Sequence, residues 1–289
     1  MILFILLFIF ILYFVIIINR INSKSFYDYQ FKKNSSQIPS IIYTFWNGTK
    51  LPPFIKKCIN SWKRYNPSYT IIILNKKNLS AYLSEDIFSF KHSDSPQRIS
   101  DFIRLSILKK TGGIWMDASI YLNKSLDWIH HKQYETQSEF IGYSIQSCGF
   151  EKRNHNIPII ESWFLASVPN SRFISDWHHS FFSINEFNTV DDYVTHIRNK
   201  TDIHGISNPS YLTIHIACLH IIESTKIPYN LYLLPSEEAP YLYLDSISWN
   251  PLYYIPMLLY FHGTESPIIK YRGSERLLIE TLGLYHLYQ

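Results

Sequence analysis

Cysteine is scarce in this chain and provides no framework. The 289 residues include three, Cys58, Cys148 and Cys218, each in or beside an apolar segment. An odd number of isolated thiols excludes a disulfide scaffold, and no CxxC or Cys/His spacing offers a zinc site. A dominant charge is lacking too. The 27 Lys and Arg against 23 Asp and Glu leave a net +4, spread along the chain, which gives no footprint for nucleic acid. There is no G-x-G-x-x-G, no Walker loop and no G-x-S-x-G elbow, so dehydrogenase, NTPase and hydrolase readings lose their local signatures. Nor is there an H-E-x-x-H pattern. His178, His179, His215 and His220 fall mid-helix and read as packing or surface residues.

One long hydrophobic run is present. Residues 1–18, MILFILLFIFILYFVIII, hold no charge, glycine or proline. Eighteen helical residues rise about 27 Å, enough to cross a hydrocarbon core. A cleaved signal has a basic start, a shorter apolar run and an A-x-A-like end. Residues 1–19 are therefore expected to be an uncleaved single-pass membrane anchor, and the polar stretch 20–37 a tether. Arg20, Lys24, Lys32 and Lys33 follow the span, which favours a cytosolic catalytic domain by the positive-inside rule. Sequons at Asn34, Asn47, Asn78, Asn123 and Asn199 leave the Golgi/ER lumen open as the other side.

The folded part is expected over 38–289. Residues 41–46 (IIYTFW) read as a buried strand, and Pro52-Pro53 open a helix ending before Asn66-Pro67. Residues 69–74 (YTIIIL) read as a second strand. Strand–helix–strand order with near-continuous apolar strands predicts a mostly parallel sheet flanked by helices, hence an α/β fold.

The organising stretch is 95–122, SPQRISDFIRLSILKKTGGIWMDASIYL. Ser95 suits an N-cap, Pro96 the first turn, and Ile99, Phe102, Ile103 and Ile107 a helical stripe. Gly112 and Gly113 end the helix, and Ile114, Trp115 and Met116 form a strand that delivers Asp117 near its carboxyl end, where open α/β sheets bind ligands. Asp101 and Arg104 share one helix face, off the stripe. If that face meets the strand end, the three converge into a site for a polyhydroxylated, phosphorylated ligand. Alternatively, Asp101 pairs with Arg98 or Arg104 on a wet face and Asp117 caps a turn.

The run D-F-I-R-L-S-I-L-K-K-T-G-G-I-W-M-D-A-S resembles the signature of the capsular polysaccharide synthesis protein family, a relative of DXD-type sugar transferases such as glycosyltransferase family 32. Those relatives read S-D-x-x-R, a short helix, then G-G-x-Y-x-D-x-D. The resemblance implies a GT-A-like (Rossmann-like) fold and transfer of a hexose from a nucleotide sugar, UDP- or GDP-linked, with Mn²⁺ or Mg²⁺ and retention of configuration. It puts Asp101 and Arg104 on the donor sugar and makes Asp117 the first Asp of the DXD motif. Ser119 stands where the second Asp would be, leaving one carboxylate fewer for a metal. The opening I-P-x-I-I-x-x-F-W with S-W-x-x-Y-N-P resembles the family's nucleotide-binding start, which puts Phe45 and Trp46 near the base. For Trp46, plain aromatic core is the alternative.

Further along, 127–139 reads as a surface connection, and 140–143 and 159–167 as strands. The second resembles a family segment ending in W-F-x-A. Glu161 and Trp163 share its parity, making Glu161 an acceptor-side candidate. Helices are expected over 169–182 and 211–224. A strand at 258–261 would deliver His262, and a loop would then carry Lys270, Arg272 and Arg276. His262 is expected to join Asp117 on the metal, and Lys270 or Arg272 to hold the diphosphate. The expected protein is a membrane-anchored glycosyltransferase acting on a glycan, glycolipid or glycoprotein acceptor. The competing expectation is a silent, membrane-tethered carbohydrate- or nucleotide-binding protein of the same fold.

Overall fold

A computed structural model describes residues 36–145, 157–260 and 266–288. The anchor expected at 1–19, nearly all of the tether at 20–37, and His262 lie outside the described residues. Among the described residues, no helix is long and apolar enough to cross a membrane.

The chain enters through β1 (Ile41–Phe45), crosses over α1 (Pro53–Tyr65) and returns as β2 (Thr70–Leu74), parallel to β1 with Ile42 opposite Ile71. Proline begins α1, and Phe54, Ile55, Cys58, Ile59 and Trp62 form its buried side. Next comes α2 (Pro96–Thr111), whose cap Ser95 accepts a hydrogen bond from the Arg98 amide. Gly112, at φ +62°, turns the chain into β3 (Gly113–Met116), parallel to β1 with Tyr43 opposite Trp115. A Cβ on Gly112 would stand 2.5 Å from the Pro169 nitrogen, so this turn takes glycine for both its φ and the close approach.

The short β4 (Ile120–Leu122) leaves the main sheet. Then follow α3 (Asp127–Thr136), β5 (Phe140–Ile145), β6 (Ile159–Ser167), α4 (Arg172–Phe182), α5 (Val190–Arg198) and α6 (Thr213–Ser224). The chain closes with β7 (Leu231–Pro235), α7 (Leu242–Asp245), α8 (Tyr254–Tyr260), β8 (Ile268–Lys270) and α9 (Gly273–Thr281). Among the described residues the main sheet has the order β2-β1-β3-β6-β5-β7. Only β6 runs against the common direction within it, pairing antiparallel with β3 and β5. Strand alternation divides the core between the two faces. Trp115 and Leu165 pack with Phe102, Trp177 and Phe181 on one side. Ile114, Met116 and Phe164 pack with Trp62, Phe54 and Tyr271 on the other.

Three expectations are corrected. Residues 127–139 hold the helix α3, anchored by buried Ile129 and Gln133, whose side chain bonds the Ile38 amide. Residues 258–260 belong to a helix, not a strand, because an uninterrupted apolar run carries no period that separates the two. Lys270 stands in a strand rather than a loop: β8 pairs antiparallel with β4, with Ile120 opposite Lys270. The helix α2 is also buried more widely than a stripe allows, from Ile99 through Leu108 with one break at Ser100.

Candidate active site

The residues at 101, 104 and 117 meet. Arg104 lies 3.2 Å from Asp101 Oδ1 and 3.4 Å from Asp117 Oδ1 through the same Nη2. Nη2 also donates to the Ser100 hydroxyl, Nη1 to the Ser162 carbonyl and Nε to the Ser100 carbonyl, and the guanidinium lies 5.2 Å from the centre of the Trp115 ring. The wet-face alternative is thereby removed, since Asp101 and Arg104 are 8% and 5% exposed. Burial raises Asp101 to about 6, against the pull of Arg104 and His215. Asp117 is held at the mouth of the turn by its amide on the Trp163 carbonyl, 2.9 Å, and by the Trp115 indole N–H on Oδ1, 3.2 Å.

Lys270 completes the cluster from β8. Its ammonium is 2.7 Å from Asp117 Oδ2 and 3.2 Å from Ser119 Oγ. Ser119 in turn donates to the Tyr271 carbonyl at 2.7 Å. Burial acts to raise Asp117, but Lys270 and then Arg104 outweigh it and hold the carboxyl below its ordinary value. A divalent ion takes several oxygen ligands, carboxylates prominent among them. Here a single carboxylate faces a cation on each oxygen, and Ser119 gives its proton to a backbone carbonyl. The donors described around Asp117 do not fit a divalent cation.

The other basic candidates divide. Arg272 is tied to buried Glu275 by bonds of 2.8 and 3.0 Å and to the Tyr254 hydroxyl at 2.7 Å. Its charge is therefore matched locally. Arg276 stands over the Trp46 ring at 5.7 Å and lines the same cleft. Trp46 is at the cleft wall, whereas Phe45 is also core, 7% exposed.

These groups border a cavity of about 760 Å³ along the carboxyl ends of β1 and β3, within the ~300–1,000 Å³ usual for small-molecule sites. Glu161, Trp163, His215, Tyr211 and Tyr241 line the same cavity. His215 Nε2 is 3.7 Å from Glu161 Oε2. Among the described residues, His215 Nδ1 and the indole nitrogens of Trp163 and Trp249 are buried with no hydrogen-bond partner. His215, read from the sequence as a packing or surface residue, is buried and also lines the cavity. Nothing local marks it, because the face of α6 that meets β6 is set by packing. The Lys270–Asp117 contact was equally hidden, across 153 residues.

The sheet thus brings paired carboxylates, a guanidinium and an ammonium together at the wall of one cavity. The family model described as capsular polysaccharide synthesis protein matches residues 13–198, and the chain belongs to that family. Over 158 residues it is 27% identical to the O-glycosyltransferase braB of Annulohypoxylon truncatum, a span of 48% of this chain and 36% of that protein. Over 170 residues it is 25% identical to inositol phosphoceramide mannosyltransferase 3 of Schizosaccharomyces pombe, covering 55% and 44%. The chain thus spans less than half the length of these relatives. Among solved structures it is similar in fold to the galactosyltransferase LgtC, with a TM-score of 0.42, 12% identity, and coverage of 81% of this chain and 87% of that one.

Proposed function

We propose that the protein is a glycosyltransferase that moves a hexose from a nucleotide-sugar donor, UDP- or GDP-linked, to a hydroxyl of a glycan, glycolipid or glycoprotein. The observation that carries this reading is the convergence of Asp101, Arg104, Asp117 and Lys270 on one wall of a cleft large enough for such a donor. Family membership and the names of the relatives support it.

In this reading Asp101 and Arg104 hold sugar hydroxyls, with Asp117 beside the anomeric end and Lys270 and Arg276 near the diphosphate. The Trp46 wall takes the base, and the Glu161–His215 pair takes the acceptor. The bond from the anomeric carbon to the diphosphate oxygen breaks with its electron pair going to the diphosphate. The acceptor oxygen bonds to that carbon, and its proton leaves with the diphosphate. Retention of configuration, implied by the family, belongs to the proposal. No step is assigned to Mn²⁺ or Mg²⁺, because the donors around Asp117 among the described residues do not fit one. The reading also takes 1–19 as the membrane anchor, 20–37 as its tether and 38–289 as the catalytic part, on the cytosolic face or in the Golgi/ER lumen.

The test is a screen of nucleotide sugars by thermal shift and by release of nucleoside diphosphate. At least one UDP- or GDP-hexose is expected to stabilise the protein and be turned over. Stabilisation without turnover would favour the silent binding protein, and neither response would remove the reading.

A further inference from the structure

Lys270 brings a fixed positive charge to the wall of the cleft. Its ammonium has three donors. One goes to Asp117 Oδ2 at 2.7 Å and one to Ser119 Oγ at 3.2 Å. Among the described residues these are its hydrogen-bond partners, which leaves a third donor for a ligand in the cavity it lines. The lysine is held in place: it is 8% exposed, its amide donates to the Pro240 carbonyl at 3.0 Å, and its carbonyl accepts from the Tyr243 hydroxyl at 2.9 Å. A side chain fixed at both its backbone groups and its charged end forfeits little freedom on meeting a ligand.

Ser119 fits the same account. A carboxylate at 119 would stand against the ammonium and compete with Asp117 for it, whereas a hydroxyl accepts from Lys270 and passes its own proton to the Tyr271 carbonyl. The hydroxyl at 119 and the carboxylate at 117 together seat one fixed monocation at this wall of the cleft. From this geometry we infer that Lys270 is the built-in cation of the donor site, and that a nucleoside diphosphate binds to it without a divalent metal. The inference rests on the nucleotide-sugar reading above. Lys270 then acts with Arg276 on the diphosphate oxygens, while Asp117 orients the ammonium rather than ligating an ion.

The experiment titrates the full-length protein with UDP and with GDP by calorimetry, once in EDTA and once in Mn²⁺. For whichever nucleotide binds more tightly, the two affinities are expected to agree within about threefold. Lys270→Met is expected to weaken binding in EDTA by about tenfold or more, and Lys270→Arg to restore most of it. A larger than threefold gain on adding Mn²⁺ to the unaltered protein would overturn the inference while leaving the transferase reading in place. Absence of binding of either nucleotide under both conditions would overturn the transferase reading, and this inference with it. The comparison in the unaltered protein stands even if Lys270→Met fails to fold. A double change, Ser119→Asp with Lys270→Ala, gives a converse test: it is expected to make binding depend on Mn²⁺, and metal-independent binding in it would overturn the role given to Lys270.

Discussion

Two sets of side chains lining one cleft are satisfied to different degrees. In the set carried by α2, β3 and β8, Arg104 and Lys270 each face a carboxylate, and Arg104 also donates to Ser100 and the Ser162 carbonyl. In the set carried by β6 and α6, His215 Nδ1 and the Trp163 indole N–H are buried without a partner among the described residues. Buried polar groups are ordinarily satisfied, and an orphan costs about 1–3 kcal/mol. The contrast teaches that the first set is preorganised electrostatically before any ligand arrives. The second holds unmet polar capacity.

The sharpest way to break this comparison is at Asp117. Asp117→Ala removes the group that positions Lys270 and shares Arg104, and transfer is expected to fall by about 10³-fold or more. Circular dichroism should show an intact fold, since the side chain is 27% exposed, and turnover near that of the unaltered protein would sink the assignment. In the second set, Glu161→Gln is expected to lower kcat/KM for the acceptor by about 10- to 100-fold. Nucleotide affinity, measured by calorimetry, should stay the same; equal losses for donor and acceptor would erase the distinction between the two sets.

Stability tests the α2 side of the cleft in a different way. Gly112→Ala forces a side chain onto φ +62° and against Pro169, and is expected to cost about 2–4 kcal/mol in a urea titration. Because α2 then no longer feeds β3 in register, activity should fall with stability. An effect of similar size, confined to a pH window, is at Asp101, raised from about 3.8 to about 6 by burial despite Arg104, His215 and Arg98, with Asp117 adding to the rise. A raised carboxyl favours the protonated form in the fold. Its contribution is complete below about pH 4 and is lost as pH rises through 6, by on the order of 3 kcal/mol. Asp101→Asn should therefore gain in melting temperature relative to the unaltered protein between pH 4 and 7 while losing transfer. A pH-independent difference would refute the buried-carboxyl account.

Much of the fold was legible along the chain. Ser95, Pro96 and Gly112 mark a helix that the structure bounds as Pro96–Thr111, and the apolar runs at 41–46, 69–74 and 159–167 are strands of the sheet. The helical state of 258–260 was not legible, since continuous apolarity fits a strand or a helix alike, and α3 was hidden by a polar, His-rich composition. In the site, Asp101 and Arg104 were readable as neighbours because three residues is nearly one helical turn.

By itself, then, the sequence determined the local geometry: a capped helix with an acid and a base on one face, a glycine turn, and a strand ending in an aspartate. Those features depend on dihedral preferences and periodicity within some twenty residues. Tertiary structure alone decided that β4 pairs with β8 and so sets Lys270 on Asp117, that Arg272 is matched by Glu275 and Arg276 turned to Trp46, and that His215 faces Glu161. Each of these depends on which distant surfaces pack together, and packing is settled by the shape of the whole core rather than by any stretch of it.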